Sequence, residues 1–344
     1  MAIENNKLKL KPFKNLVYID NDVTSEHFGY YYDERPISNL MDYGLILLDK
    51  PSGPTSHEVV AWVKRILNVE KAGHSGTLDP GTTGLLPIGL GEATKALSVL
   101  LIGPKEYYAL ARLHAFYDKE KIESLLESFI GDIYQKPPQR SSVKRATRVR
   151  AIYDMKLLEQ LDTLFLLRIL CQSGTYIRKI IYDIGEVLSP GASMIELRRT
   201  RVSEFDEKSY LFTSLHELSD AISLYKEERK EEKLRNYIYP AEICLGPLPS
   251  VIIRDTAVDA LCHGAQLAIP GIIAFSQNLK KGNLVGIYSL KGEIVGIGEL
   301  VMDAFEMEEK NNGVAFVIKR IIMKPGTYPR AWRKGKATTN NLEE

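Results

Sequence analysis

Apolar residues fall along this chain in two patterns: short unbroken runs closed by glycine and proline, and longer stretches returning every three or four positions. The first forty residues show neither pattern. They are polar and tyrosine-rich, which predicts an arm that is ordered only by packing on something else. Tyr43 to Leu48 is a short apolar run followed by Lys50-Pro51-Ser52-Gly53-Pro54, a strand and then a turn. Val59, Val60, Val63, Ile66 and Leu67 repeat at helical spacing, with Ser56 placed to cap the helix. Gly73 to Gly91, GHSGTLDPGTTGLLPIGLG, reads as loop around an apolar strand, Leu85 to Leu90. Helical spacing resumes over Glu92 to Leu101, and Tyr107 to Tyr117 and Thr163 to Cys171 read as strands. Ser173-Gly174-Thr175 opens a further helix. Its stripe of Ile177, Ile180, Ile181 and Ile184 leaves Arg178 in the first turn, on a different face.

Leu215 to Tyr239 is a charged helical region, and Leu245-Gly246-Pro247-Leu248-Pro249-Ser250 marks a domain boundary. Beyond it, glycine separates four strand-like runs: Gly264 to Ile269, Leu284 to Leu290, Glu293 to Leu300 and Val314 to Met323. The chain therefore divides into an arm (1–40), a larger domain (41–246), a small β-rich module (247–336) and a tail (337–344). No internal repeat or low-complexity tract interrupts this order.

Composition narrows the class. At 344 residues, 44% apolar and 26% charged, the chain has room for two folded cores at about 100–200 residues each. No apolar run reaches the roughly 18 residues that cross a bilayer, and the N-terminus lacks the apolar core of a signal peptide. Three separated cysteines, Cys171, Cys244 and Cys262, supply neither a disulfide framework nor a zinc site, so a reducing compartment is expected. Forty-five basic residues nearly balance 44 acidic ones, yet two stretches are wholly basic. Lys136 to Arg150 carries Lys136, Arg140, Lys144, Arg145, Arg148 and Arg150; Lys319 to Lys336 carries seven Lys and Arg. Each is either a solvated face or a nucleic-acid surface.

Gly89-Leu90-Gly91 has only the first two glycines of a dinucleotide fingerprint, and no Walker A sequence occurs. His57 and His74 lack a partner four residues on, so a metal role is not expected. What stands out is Gly76-Thr77-Leu78-Asp79-Pro80-Gly81, an acid in a glycine and proline turn between apolar elements. By residue type alone, Asp79 is either an Asx-type turn residue or a catalytic carboxylate.

HSGTLDPGTTGLLPIGLGEATK resembles the signature of the TruB family of pseudouridine synthases, whose GTLDP aspartate is the nucleophile. Four further segments resemble family elements in order: KPSGPTS (50–56), Lys105-Glu106-Tyr107, Gly174-Thr175-Tyr176-Ile177-Arg178 and Leu197-Arg198-Arg199-Thr200-Arg201. Val251 to Trp332 is similar to the PUA domain of the dyskerin-type, box H/ACA branch, and Gln139 to Arg145 to that branch's substrate-contacting thumb loop. One departure is Val202-Ser203-Glu204-Phe205, where the family has Ser-Gly-Pro-Phe, so a less tight turn is expected there.

The resemblance implies an α+β fold, with a mixed, largely antiparallel sheet and flanking helices, followed by a small β-rich PUA domain against which the arm packs. It implies isomerisation of uridine to pseudouridine in rRNA directed by a box H/ACA guide RNA. A stand-alone tRNA enzyme and a non-catalytic RNA scaffold are the alternatives. No cofactor is needed, because the reaction breaks N1–C1′ and forms C5–C1′ without redox change. One carboxylate serves, whether it attacks C1′, attacks uracil C6 or removes a ribose proton. By resemblance Asp79, Tyr107 and Arg178 are catalytic, the guanidinium favouring a charged Asp79. His74, Lys50, Arg140, Lys144, Arg145 and Arg148 fall to the substrate RNA, with Lys50 also supporting the Asp79 loop. The guide falls to His263, Gly264, Ala265, Gln266, Pro270 and Gly271. Three small accessory proteins are the expected partners, with no membrane. The absence of a long lysine-rich tail favours the archaeal form and a cytoplasmic location.

Overall fold

The computed structural model describes residue 13 and residues 15–31, 34–136 and 146–330. Strand β1 (Leu16–Tyr18) precedes helix α1 (Ile37–Tyr43), which runs directly into β2 (Gly44–Lys50). Six of the seven β2 residues are buried, as its unbroken apolar run requires. Helix α2 (Ser56–Leu67) begins one residue before the position given to it from sequence. Thr55 is its cap, in a reciprocal box with Glu58, and Ser56 is its first helical residue. Asn68, at φ 55°, closes the helix in the left-handed region.

Strands β3 (Ala72–His74) and β4 (Thr83–Leu90) flank the Asp79 loop. Then come a 3-10 turn (Gly91–Lys95), α3 (Leu97–Ile102), β5 (Lys105–Leu113), α4 (Lys119–Ser128), β6 (Gly131–Gln135), β7 (Arg148–Leu161) and β8 (Leu164–Cys171). Helix α5 (Ile177–Leu188) precedes β9 (Ala192–Val202) and β10 (Phe205–Asp206); α6 (Leu215–Glu228), α7 (Glu232–Tyr237) and β11 (Tyr239–Pro240) complete this unit, Pro36–Cys244. Its ten-stranded sheet has the path β11-β2-β4-β9-β5-β8-β7-β6, with β3 and β10 paired at the side, and β4 alone runs parallel to its neighbour β9.

Alternation along the strands sends side chains to two helical layers. Ile46 and Leu48 of β2 and Leu86, Ile88 and Leu90 of β4 pack with α1, α2, α6 and α7. Ala109, Ala111 and Leu113 of β5 and Phe165, Leu167, Ile169 and Cys171 of β8 pack with α4 and the isoleucine stripe of α5. Pro87 sits in β4 without breaking the sheet. Its second edge is paired to β9 only at Thr83–Gly84 and to β3 only over Ile88–Leu90, so a missing N–H there costs little. Gly84, at φ 98°, is where β4 and β9 meet; a Cβ on it would lie 2.2 Å from the Arg199 carbonyl oxygen. The Ser203-Glu204 turn is as tight as a hairpin allows, contrary to expectation: Val202 pairs with Phe205, and Ser203 itself takes φ 55°.

The second unit joins Met1–Arg35 to Leu245–Glu344. It contains β12 (Ser250–Ile253), α8 (Asp255–Cys262), β13 (Leu267–Ala268), β14 (Ile272–Ser276), β15 (Leu284–Tyr288), β16 (Ile294–Leu300), α9 (Ala304–Glu309) and β17 (Val314–Ile321). The sheet order is β1-β14-β12-β15-β16-β17-β13. The arm is thus part of this sheet, β1 pairing antiparallel with β14. Polar contacts hold the next residues. Asp255 accepts from Thr24 Oγ1 (3.0 Å) and the Ser25 N–H (2.9 Å), and buried Glu293 accepts from the Tyr30 N–H (3.0 Å) and the Tyr328 hydroxyl (2.7 Å).

Candidate active site and RNA-facing residues

The loop that carries Asp79 is held by side chains from three separate elements. Lys50, at the end of β2, is fully buried, and its ammonium donates to the carbonyls of Pro51 (2.8 Å), Pro80 (2.9 Å) and Thr82 (2.9 Å). All three of its donors are used. Lys50 is therefore a strut beneath the loop and not a contact for substrate RNA, which corrects that part of the sequence expectation. Ser56, buried in the first turn of α2, accepts from the Leu78 N–H (2.9 Å) and donates to the Leu78 carbonyl (3.1 Å). Arg199 of β9 is 2% exposed; its Nε donates to Leu85 O (2.9 Å) and its Nη2 to Gly76 O (3.1 Å), one carbonyl on each side of Asp79. Within the loop, the Thr82 N–H closes a turn on Asp79 O at 3.0 Å.

Asp79 itself projects from this frame, and Arg178 Nη2 donates to its Oδ2. Arg178 is the second residue of α5, and the start of that helix is fixed by buried Gln135 of β6. Gln135 accepts from the Tyr176 N–H (2.9 Å) and donates to Tyr176 O (3.2 Å). Lys105 reinforces the same corner. Its buried ammonium binds Leu100 O, Leu101 O and Gly103 O, and reaches Ser173 Oγ (3.1 Å) in the turn before α5.

Tyr107 of β5 is half-buried and packs against both cores of the unit. Burial pushes its phenol above the ordinary value, and the Arg199 guanidinium, within hydrogen-bonding reach, partly opposes this; Asp79 lies close enough to raise it further. At neutral pH the group is a neutral phenol. Arg199 in turn is lowered by burial and held up by Tyr107. His74, in β3, stacks edge-on with His57 at 5.1 Å between ring centroids. Burial, then the neighbouring His57 and Arg199, push its pKa down to about 4, and its buried Nδ1 has no hydrogen-bond partner among the described residues. It presents a neutral ring. Asp79, Arg178, Tyr107 and His74 thus share one frame, and the residue that joins most of it, Arg199, was assigned no role from sequence. A signal was present. Adjacent residues in a strand point to opposite faces, so Arg198 and Arg199 cannot both be solvated. Arg198 meets Asp49 (2.8 and 2.9 Å) and Glu207, leaving Arg199 to the interior.

Of the basic run before β7, Arg140, Lys144 and Arg145 lie outside the described residues; Arg148 is half-buried at the first position of β7, opposite Gln135. In the second unit, His263 ends α8. Its Nδ1 lies 2.8 Å from Asp259 O, and its Nε2 lies 2.9 Å from Arg330 Nη2. Gly264 (φ 94°), Ala265 and Pro270 are exposed. Gln266 spends its amide oxygen on the Ile318 N–H (2.7 Å), and Gly271 is half-buried where a Cβ would approach Ala257 and Leu267 at 3.1 Å. The exposed face is formed by His263, Gly264, Ala265, Gln266 and Pro270, with Gly271 half-buried beside it. The second basic run is partly neutralised: Lys319 pairs with Glu299 of β16 at 2.8 Å, and Arg330 Nε is 3.5 Å from buried Asp259. Strand pairing brings acids that linear distance hid. Among the described residues, no cluster of His, Cys, Asp and Glu could hold a metal ion.

Comparison with known proteins gives a consistent picture along the chain. Residues 64–177 match the N-terminal domain of TruB family pseudouridylate synthases, 178–246 the tRNA pseudouridylate synthase B C-terminal domain, 249–322 the PUA domain and 4–60 the DKCLD (NUC011) domain. A probable tRNA pseudouridine synthase B of Archaeoglobus fulgidus is 46% identical over 327 residues, 95% of this chain and 99% of the relative. One from Methanopyrus kandleri is 49% identical over 309 residues, 90% of this chain and 91% of its own. Among solved structures, a chain of an H/ACA RNP bound to a substrate RNA containing 2′-deoxyuridine matches with a TM-score of 0.84 at 42% identity, over 92% of this chain and 97% of the other. A chain of a Cbf5-Nop10-Gar1 complex matches at 0.83 and 44% identity, over 92% and 98%.

Proposed function

The chain belongs to the TruB family of pseudouridylate synthases, and on that premise we propose that it isomerises uridine in ribosomal RNA under the direction of a box H/ACA guide RNA. The observation that carries the guide-directed reading is the likeness, over nearly the whole length, to a chain from an H/ACA RNP bound to substrate RNA. In this reading the Asp79 carboxylate initiates cleavage of N1–C1′, and Arg178 keeps it charged and aimed. Tyr107 stays protonated at neutral pH, stacks on the extruded base and stands near the C5 position when the ring has rotated. His74 offers an uncharged ring to the space the nucleotide leaves.

Arg140, Lys144, Arg145 and Arg148 hold the substrate backbone. The exposed face formed by His263, Gly264, Ala265, Gln266 and Pro270, with half-buried Gly271 beside it, takes the guide's 3′ trinucleotide. Small accessory proteins of the Nop10 and Gar1 kinds complete the particle, on the likeness to complexes that contain them. The same reading keeps arm and PUA domain as one guide-binding module and places the enzyme in the cytoplasm. No helix among the described residues is long and apolar enough to cross a membrane.

A second reading is favoured by a specific observation: the curated relatives are named as tRNA enzymes. Sequencing the RNA that copurifies with the chain from its native cell separates the two. Hairpin RNAs ending near ACA support the guide-directed reading, and recovery of tRNA alone overturns it.

A further inference from the structure

We infer that Arg150 is a phosphate-binding residue for the substrate strand, holding one linkage beside the reacting uridine; this rests on the reading of the chain as an RNA pseudouridine synthase. Four arginines have a buried Nε with no hydrogen-bond acceptor: Arg35, Arg150, Arg168 and Arg254. Three of them face carboxylates, on Glu293, Asp154 and Asp20. Arg150 has none among the described residues, and residues 137–145 before it contain no acid at all. Among the described residues its one acceptor is the neighbouring Val149 carbonyl, 2.7 Å from Nη1, so Nη2 remains for a ligand.

Its position is fixed and close to the chemistry. The guanidinium lies against Gly174, where a Cβ would stand 3.3 Å from Nε and 3.4 Å from Nη2, and the φ of +78° at Gly174 also favours glycine. Strand β7 is tied to that turn at Ala151: the Gln172 N–H donates to Ala151 O at 2.8 Å, and Gln172 Oε1 accepts from the Ala151 N–H at 3.2 Å. Thr175 Oγ1 then caps Gln172 O at 2.7 Å, and four residues past Gly174 the same segment presents Arg178 to Asp79. A planar guanidinium with Nη2 uncommitted and no counter-charge among the described residues, beside the turn that leads to Arg178, suits a phosphodiester oxygen. Arg150 supplies grip and takes no part in bond making.

The test uses the full-length chain, either with guide RNA and a paired uridine oligonucleotide or with a tRNA transcript. Substrate affinity and single-turnover isomerisation are followed across a range of KCl concentrations. Arg150→Gln is expected to weaken substrate binding about tenfold and to flatten the log–log salt dependence by about 0.7. Arg150→Lys should restore the slope. Replacing the flanking linkages one at a time by neutral methylphosphonate should find one that weakens the wild type to the same extent and leaves Arg150→Gln unaffected. An unchanged affinity and slope, or a Gln penalty independent of every flanking linkage, overturns the assignment while the functional reading stands. A wild-type chain that isomerises neither substrate brings down the functional reading and this inference with it.

Discussion

Asp79 and Arg178 are 57% and 52% exposed, so their ion pair contributes no more than about 1 kcal/mol to the fold. Its consequence is positional. Asp79→Asn keeps shape and removes charge, and is expected to slow single-turnover isomerisation by at least about 10³ while RNA affinity stays within a few-fold; retention of a tenth of the rate would contradict the assignment. Arg199 is the opposite case, buried and structural at once. Arg199→Met strands the Gly76 and Leu85 carbonyls, and a loss of about 2–4 kcal/mol in urea unfolding is expected together with a fall in rate. Full activity in that variant would separate the loop from the chemistry. His74 supplies a pH signature. Its folded pKa is about 4 against 6.5 for the free group, so between those values the unfolded chain binds more protons. The contribution is therefore complete above pH 6.5 and lost as pH falls toward 4. His74→Gln should reduce the stability difference between pH 7 and pH 4.5 by about 2 kcal/mol; equal differences in the two proteins would refute it. The turn that presents Asp79 was legible in its glycines and prolines, while the catalytic role of the carboxylate rests on the family resemblance. The burial of Lys50 and Arg199 was not legible, since a basic side chain reads as solvent-facing until its acceptors, here main-chain carbonyls from distant strands, are folded around it.

At the scale of elements, the Asp79 loop borrows its rigidity from α2 and β2. Ser56→Ala leaves both the N–H and the carbonyl of Leu78 without their partner, so a loss of about 2 kcal/mol in unfolding free energy is expected, with impaired turnover. If Ser56 were only a helix cap, as its position first suggests, turnover would be unaffected. The elements that were easiest to read, β2, β4, β8 and α5, are those whose burial is one-sided or complete. β7 and β9 escaped notice for a physical reason. Both are partly exposed along their length, and register shifts at Ile152/Asp154 and Leu157/Glu159 in β7, and opposite Glu106/Tyr107 and Leu110/Ala111 in β9, break the alternation that marks a strand. The motif LRRTR is therefore a strand edge of the site and not a surface patch.

For the whole molecule, net charge near zero hides a division of labour. Neither basic run contains an acid in sequence, yet Lys319 and Arg330 of the second meet Glu299 and Asp259 in space. The PUA-type module therefore has to rely on shape and exposed base edges. Its arm is integral, since β1 extends the sheet and Glu293, Asp255 and Tyr328 fasten the segment that follows. A molecule built in this way should recognise a guide with one unit and act on uridine with the other. The most direct measurement is release of tritium from C5 of uridine in an rRNA oligonucleotide, paired to a guide ending in ACA or in UGU, with the full-length chain and its accessory proteins. Rapid release with the ACA guide, loss of at least about tenfold with UGU, equivalent to one or more recognised bases at about 1–3 kcal/mol each, and none with Asp79→Asn is the expected result. Equal release with both guides, or release from tRNA without any guide while the paired oligonucleotide stays inert, would contradict it.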